Sequence, residues 1–387
     1  MMQERLGIWF LRRLVHAGEL RVTTPNATYV VGSGTPRADI TLKESGAVVD
    51  AVRKGLLGFS EAYMDDRIDT TDLRGLLLWG TANQRSWFRH PLAVFTDPLR
   101  RMWQRIRPER RHPRVVTMND HYNLSNEFYE TWLDGTMTYS SARFAQPEQS
   151  LTDAQRNKYR TLADHVGLEP GMRVLEIGCG WGGFAEYAAR ERGCAVLGIT
   201  LAEEHARYAE KRMAGAGLAG QVEIRVQDFR DVRGEFDAVV SIEMIESVDE
   251  THWPPLFNTI RKRLHPGAKA AMQVITIQDD AWERYRSRAD FIQQYIFPGG
   301  QLPAPKVLGA LAAGHGLEVE QVETFGLDYA RTLATWRNRF VAAWPELEDR
   351  HELDERFRRM WDLYLTLCEA GFRVGRINVE QWVFARS

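Results

Sequence analysis

The chain has 387 residues, 44% apolar, 26% charged and 11% aromatic, a balance that excludes a disordered or low-complexity protein and suits two or three ordinary domains. Lys and Arg total 50 against 52 Asp and Glu, for a formal charge of −2; this excludes a general nucleic-acid coat but leaves room for a local basic patch. Cys179, Cys194 and Cys368 fit neither a disulfide scaffold nor a CxxC zinc site, and they point to a reducing cytosol. No apolar run reaches the roughly 18 residues that span a bilayer. Arg12 and Arg13 interrupt the first apolar stretch, so it does not read as a signal peptide. The expectation is a soluble cytoplasmic protein without a metal site.

In chain order, Glu4–His16 reads as an amphipathic helix and Glu19–Val31 as a hairpin turning at Pro25-Asn26. Val49–Ala62 and Thr71–Gly80 read as further helices, giving a small α+β domain over residues 1–98. Residues 99–118 form a basic linker. Between Arg100 and Arg114, seven arginines face one acid, Glu109, with Trp103 and two prolines among them. Such a run reads either as a solvated connection or as a strip for anionic lipid headgroups, each nearby Arg adding about 1 kcal/mol.

Residues 119–387 form a larger domain. Its strands are expected at Met172–Ile177, Ala195–Thr200, Val222–Val226, Phe236–Ile242 and Lys269–Ile277. Helices are expected from Phe184, at Glu203–Ala214 and at Trp253–Leu264, with a Pro266-Gly267 turn closing the last. This βαβ alternation predicts a doubly wound, mostly parallel sheet. Residues 279–314 read as an aromatic-rich insertion, after which strands and amphipathic helices resume from Leu317.

The densest signal is VLEIGCGWGGFAEYAA, residues 174–189. Gly178, Gly180 and Gly182 fall where a strand turns into a helix, where glycine admits unusual torsions and lets a ligand approach the main chain. A bare glycine pattern serves dinucleotide binders and methyltransferases alike. Here Glu176 precedes the first glycine, which suits a cationic group such as the ammonium of S-adenosylmethionine and repels a pyrophosphate. Thr200, then Asp228 and Phe229, end the next two strands, where nucleotide folds contact ribose and base.

Several stretches resemble one family. They are HYNLSNEFYETWLDGTMTYSSARF (121–144), VLEIGCGWGG (174–183), SIEMIESV (241–248), YIFPGGQLP (295–303), FGLDYARTLATWRNRF (325–340) and LCEAGFRVG (367–375). In this order they are similar to the cyclopropane-fatty-acyl-phospholipid synthases. The resemblance implies a class I methyltransferase Rossmann-like sheet with a smaller N-terminal α+β domain. It also implies methyl transfer from S-adenosylmethionine to a cis double bond in a phospholipid acyl chain, on the inner face of a membrane. A homodimer is the candidate assembly.

By the same resemblance, Tyr139, Ser140, Glu176, Gly178, Gly180, Gly182, Thr200, Asp228 and Phe229 contact the cofactor. His205 stands where many members have Gln, and Cys368 corresponds to a cysteine treated as catalytic, although packing explains it equally well. The aromatic faces of Tyr139, Phe144, Trp181, Tyr295 and Tyr329 are candidates to stabilise a carbocation. In the family the base is taken to be a bound bicarbonate, whose ligands correspond to Ser141, the Ile242 backbone, Glu246, Gln273 and Tyr329. Ser141 replaces a typical Cys and Gln273 a typical His. Glu243 stands where members carry Gly. Two readings of Glu243 follow: it takes over from bicarbonate, or it points to solvent or caps the next helix. The product is correspondingly a cyclopropane or a methyl- or methylene-branched chain, and a catalytically silent relative is a third reading.

Overall fold

The structure is a computed structural model that describes residues 8–9, 11–13, 15–44, 55–89, 124–287, 289–351 and 353–386. The basic strip at Arg100–Arg114, the linker 99–118 and the first residues of HYNLSN lie outside the described residues. The chain divides into two compact units. One holds Met1–Asn123, Asp290–Pro298 and Trp344–Val374; the other holds Leu124–Ala289, Gly299–Ala343 and Gly375–Ser387. This differs from the division read from sequence, which gave everything after residue 118 to the larger domain.

In the first unit, β1 (Gly18–Thr23) and β2 (Thr28–Ser33) form the expected hairpin, β3 (Arg37–Leu42) adds to β1 in parallel, and β4 (Ile68–Asp69) closes the order β2-β1-β3-β4. Helix α1 (Leu56–Met64) runs two residues past the expected end at Ala62, the expected start at Val49 lying outside the described residues, and α2 (Leu73–Arg89) is longer than expected. Leu20, Val22, Val31, Leu42, Ile68, Leu76 and Trp79 make the core.

In the second unit, α3 (Leu151–His165) precedes β5 (Arg173–Ile177), α4 (Gly183–Arg192), β6 (Ala195–Thr200), α5 (Glu203–Gly215), β7 (Val222–Val226) and β8 (Phe236–Ile242). Then come α6 (Trp253–Arg263), β9 (Leu264–Ile277), α7 (Pro305–Gly314), β10 (Leu317–Thr324), α8 (Gly326–His351, leaving the unit at Trp344) and β11 (Ile377–Arg386). The sheet order is β10-β11-β9-β8-β5-β6-β7, with β5 to β9 parallel and β11 antiparallel to both neighbours. The central strands are apolar on both faces because both are covered: Leu175, Ile177 and Val239 enter one core, Val174, Ala238 and Val240 the other. Glu176 shares the face of Val174 as a buried carboxylate. The strand order reverses between β5 and β8, so the crevice beyond their carboxyl ends is where such sheets bind ligands.

The first unit gains its late segments through α9 (Glu355–Arg373). Its buried Arg359 donates to the carbonyls of Tyr63 and Ile68, and Asp362 accepts from the Tyr63 hydroxyl at 3.3 Å. These tie residues some 300 positions apart in sequence, which local pattern reading cannot foresee.

Candidate active site

The glycine loop leaves β5 with Gly178, Gly180 and Gly182 at φ of 83°, 50° and 81°, the left-handed region that glycine enters without penalty. A side chain at Gly178 would meet Met244 Cγ at 2.6 Å and one at Gly182 would meet Met213 Cε at 3.0 Å, whereas nothing stands within 4 Å of one at Gly180, so the main chain is open to a ligand there. Behind the loop, Glu176 accepts from the Ala185 amide, its other oxygen is buried without a hydrogen-bond partner, and burial pushes its carboxyl up to about 8. An orphaned buried acid beside an open glycine turn is a fitting receptor for an ammonium group.

Around the turn, Thr200 is buried at the end of β6 and its hydroxyl accepts from the Ala202 amide at 3.2 Å. His205 lies with its ring 4.3 Å from that of Trp181, and burial lowers its basicity. At the end of β7 both carboxylate oxygens of Asp228 are held by Arg230, at 2.9 and 2.7 Å. Phe229 is packed in the core with Leu175, Ile177 and Val232, so it offers little face for stacking.

The second cluster sits at the end of β8. Glu243 has φ 48°, a conformation that suits glycine and costs a side-chain-bearing residue about 1 kcal/mol. It persists because the residue is bonded from several sides. Its amide donates to the Gln273 carbonyl at 2.8 Å. One carboxylate oxygen accepts from the Ser141 amide at 2.8 Å and from Gln273 Nε2 at 2.7 Å; the other accepts from the Tyr329 hydroxyl at 2.8 Å. The carboxylate thus points at Ser141, Gln273 and Tyr329, not at solvent and not at a helix terminus. Three residues that the resemblance assigns to an anion are spent on this side chain. Burial raises the pKa of Glu243; Lys158 and these donors pull it back. Glu246, raised further by burial and by the charge of Glu243, accepts from the Ile275 amide and leaves its second oxygen buried and unpartnered.

Helix α3 aligns this region. Gln155 Nε2 donates to the Ser140 carbonyl at 2.9 Å, Lys158 Nζ donates to Ser140 Oγ at 2.6 Å, and the Tyr159 and Thr138 hydroxyls are paired. Gln273 is in turn held by Gln381, and Gln381 by Arg143, each at 3.0 Å. Sequence reading missed Lys158, Gln155, Gln381 and Arg143. The signal for the first two was present: in LTDAQRNKYRTLADH the apolar stripe Leu151, Ala154, Tyr159 and Leu162 also contains Gln155 and Lys158, and all six are buried.

Aromatic rings adjoin the base. Trp181, Tyr129, Tyr139, Trp336 and Tyr329 follow one another at centroid spacings of 5.1, 5.7, 5.4 and 6.0 Å. Tyr129 and Trp336 were not anticipated as members, nor was Trp132, whose ring lies 5.5 Å from that of Tyr139 and 5.7 Å from that of Trp336. Phe144 instead lies under the Arg331 guanidinium, 3.8 Å from it. Tyr295 and Cys368 belong to the first unit. There the Tyr295 hydroxyl donates to Glu61 at 3.2 Å, and burial and nearby Asp290 hold Cys368 as a neutral thiol.

Strand order, glycine turn and strand-end acids define an S-adenosylmethionine-dependent methyltransferase. In agreement, 70% of the chain superposes on 98% of the mycolic acid cyclopropane synthase CmaA1 complexed with SAH and CTAB, with a TM-score of 0.65 and 27% identity. Residues 109–382 match the family described as mycolic acid cyclopropane synthetase, and the chain belongs to it. Over 97% of its length it is 37% identical to tuberculostearic acid methyltransferase UfaA1 of Mycobacterium tuberculosis, covering 90% of that protein. Over 92% it is 34% identical to the cyclopropane-fatty-acyl-phospholipid synthase of Escherichia coli, covering 89%.

Proposed function

We propose that the protein methylates the cis double bond of an unsaturated phospholipid acyl chain and closes it to a cyclopropane, with the Glu243 carboxylate as the internal base. The observation that carries this reading is the Glu243 carboxylate fixed by Ser141, Gln273 and Tyr329. S-adenosylmethionine, when bound, supplies an electrophilic methyl group. Glu176 holds its ammonium, the main chain at Gly178–Gly182 supports its tail, and Tyr139, Ser140, Thr200, His205 and Asp228 surround the remainder.

An alkene is a weak nucleophile, so positioning and exclusion of water supply much of the acceleration. The π pair of the alkene forms the new carbon–carbon bond as the methyl–sulfur bond breaks, with that bond's pair staying on sulfur, and a cation is left on the neighbouring chain carbon. The faces of Tyr139, Trp336 and Tyr329 stabilise that charge. Glu243 accepts the proton lost from the new methyl group, and the released C–H pair closes the ring. If Glu243 instead takes a proton from an adjacent chain carbon, the product is a branched alkene. This second reading is favoured by the similarity to tuberculostearic acid methyltransferase UfaA1. Ser141, Ile242 and Glu246 shape the space around the base, and no bicarbonate is required. The basic strip at Arg100–Arg114 supplies attraction to a bilayer surface. No helix among the described residues is long and apolar enough to cross a membrane.

Lipids extracted from an unsaturated-lipid host expressing the protein are expected to gain one CH2 per modified chain by mass spectrometry. Fragmentation separates ring from branch, and unchanged lipids with folded, expressed protein would refute the proposal.

A further inference from the structure

Lys158 is fully buried on the inner stripe of α3, with an ammonium group that donates to Ser140 Oγ at 2.6 Å and lies over the Tyr159 ring at 5.1 Å. The charges of three carboxylates act on it from beyond ion-pair distance: Glu243 from the end of β8, Asp134 from the loop before α3 and Glu176 from β5. A buried ammonium is retained only where charges and hydrogen bonds compensate its lost hydration. The next residue, Ser141, directs its amide at Glu243, so the Lys158–Ser140 bond fixes the segment that holds the base.

We propose that Lys158 is a positioning residue, the buried counter-charge that keeps Glu243 ionised and locks Ser140–Ser141 against it. The inference rests on the reading of Glu243 as the base. Other charged and titratable groups around this network are Glu246 and the Tyr329 hydroxyl beside Glu243, and Arg212, which acts on Glu176 and Tyr159 and pairs with Glu186. None of these adds a second cation beside Glu243. Burial lowers the proton affinity of Lys158 to about 7, the acids around it offsetting that loss only in part, so it carries its positive charge on the acidic side of neutral, where the limb of the base is read.

The sign of the effect follows. Without the cation, Glu243 binds its proton more tightly, and the pH above which the base is available moves up. In Lys158→Met, the acidic limb of the kcat–pH profile at saturating cofactor is expected to move upward by about one unit or more, the scale of one close opposite charge. Saturation removes the separate influence of Lys158 on Glu176. Lys158→Arg, which keeps the charge, is expected to keep the limb near its native position. Ser140→Ala, which cuts the bond without emptying the core, is expected to give a smaller upward move. A native limb in Lys158→Met overturns the inference; if that variant does not fold, a native limb in Ser140→Ala does. Full activity in Glu243→Gln would instead remove the underlying reading of the base. An inactive Glu243→Gln together with an unmoved limb in the Lys158 and Ser140 variants would overturn the present inference alone.

Discussion

Glu243→Gln is expected to lower product formation by about a hundred- to ten-thousand-fold, the usual contribution of a positioned general base, with cofactor binding preserved. The amide fills the same space; its oxygen still accepts from the Ser141 amide and Gln273 Nε2, and its NH2 donates to the Tyr329 hydroxyl, which turns from donor to acceptor, so the fold and the neighbouring groups keep their geometry. What is lost is the capacity to take a proton. Because the space stays filled, added bicarbonate should not restore activity. Glu243→Gly should behave differently. Glycine accepts the φ of 48° without strain, and it vacates a pocket in which the Ser141 amide, Gln273 Nε2 and the Tyr329 hydroxyl all point inward. This variant should be inactive in bicarbonate-free buffer and recover when bicarbonate is supplied. Rescue of the Gln variant, or its full activity, would show that Glu243 is not the base.

The second large effect belongs to Glu176. Its carboxyl is raised to about 8 by burial in the ligand-free protein, so at neutral pH it is mostly protonated. An ammonium ligand stabilises the ionised form, and binding must therefore expel a proton. Cofactor affinity should rise about tenfold per pH unit from about 6 to 7.5 and flatten as the free carboxyl ionises by itself. Glu176→Gln removes the charge and should weaken binding by at least about 100-fold, in line with the cost of unpairing a buried ion. It should also abolish the pH slope. Calorimetry in two buffers of different ionisation heat reads both the affinity and the proton released. A pH-independent affinity in the native protein would separate Glu176 from the ammonium.

Much of this was legible in the chain. The strands at Ala195–Thr200, Val222–Val226 and Phe236–Ile242 fall on their expected bounds, because apolar runs between glycine-rich turns and amphipathic helices are local patterns. The glycine loop was legible for the same reason: the torsions it requires exclude other residues. Glu243 stood out only as a departure from a family pattern, and its destination depended on partners 30 to 102 positions away. Lys158 was visible as a polar residue on an apolar stripe but was not recognised, because a lysine in a charged helix such as RNKYR reads as surface. Gln381 and Arg143 could not be found locally. Gln381 enters through β11, which returns from the end of the chain to lie between β9 and β10, and Arg143 meets it from 238 positions away; such long-range pairing leaves no mark on neighbouring residues. The division into units escaped for a similar reason, since Arg359 meets Tyr63 and Ile68 across almost the whole sequence.

The central claim is that the base acting on the acyl chain is built into the protein at Glu243. It is tested most directly by following turnover of the native enzyme on unsaturated phospholipid vesicles in bicarbonate-depleted buffer, and again after bicarbonate is restored. Equal rates in the two conditions are predicted, and a rate that vanishes without bicarbonate and returns with it would contradict the account.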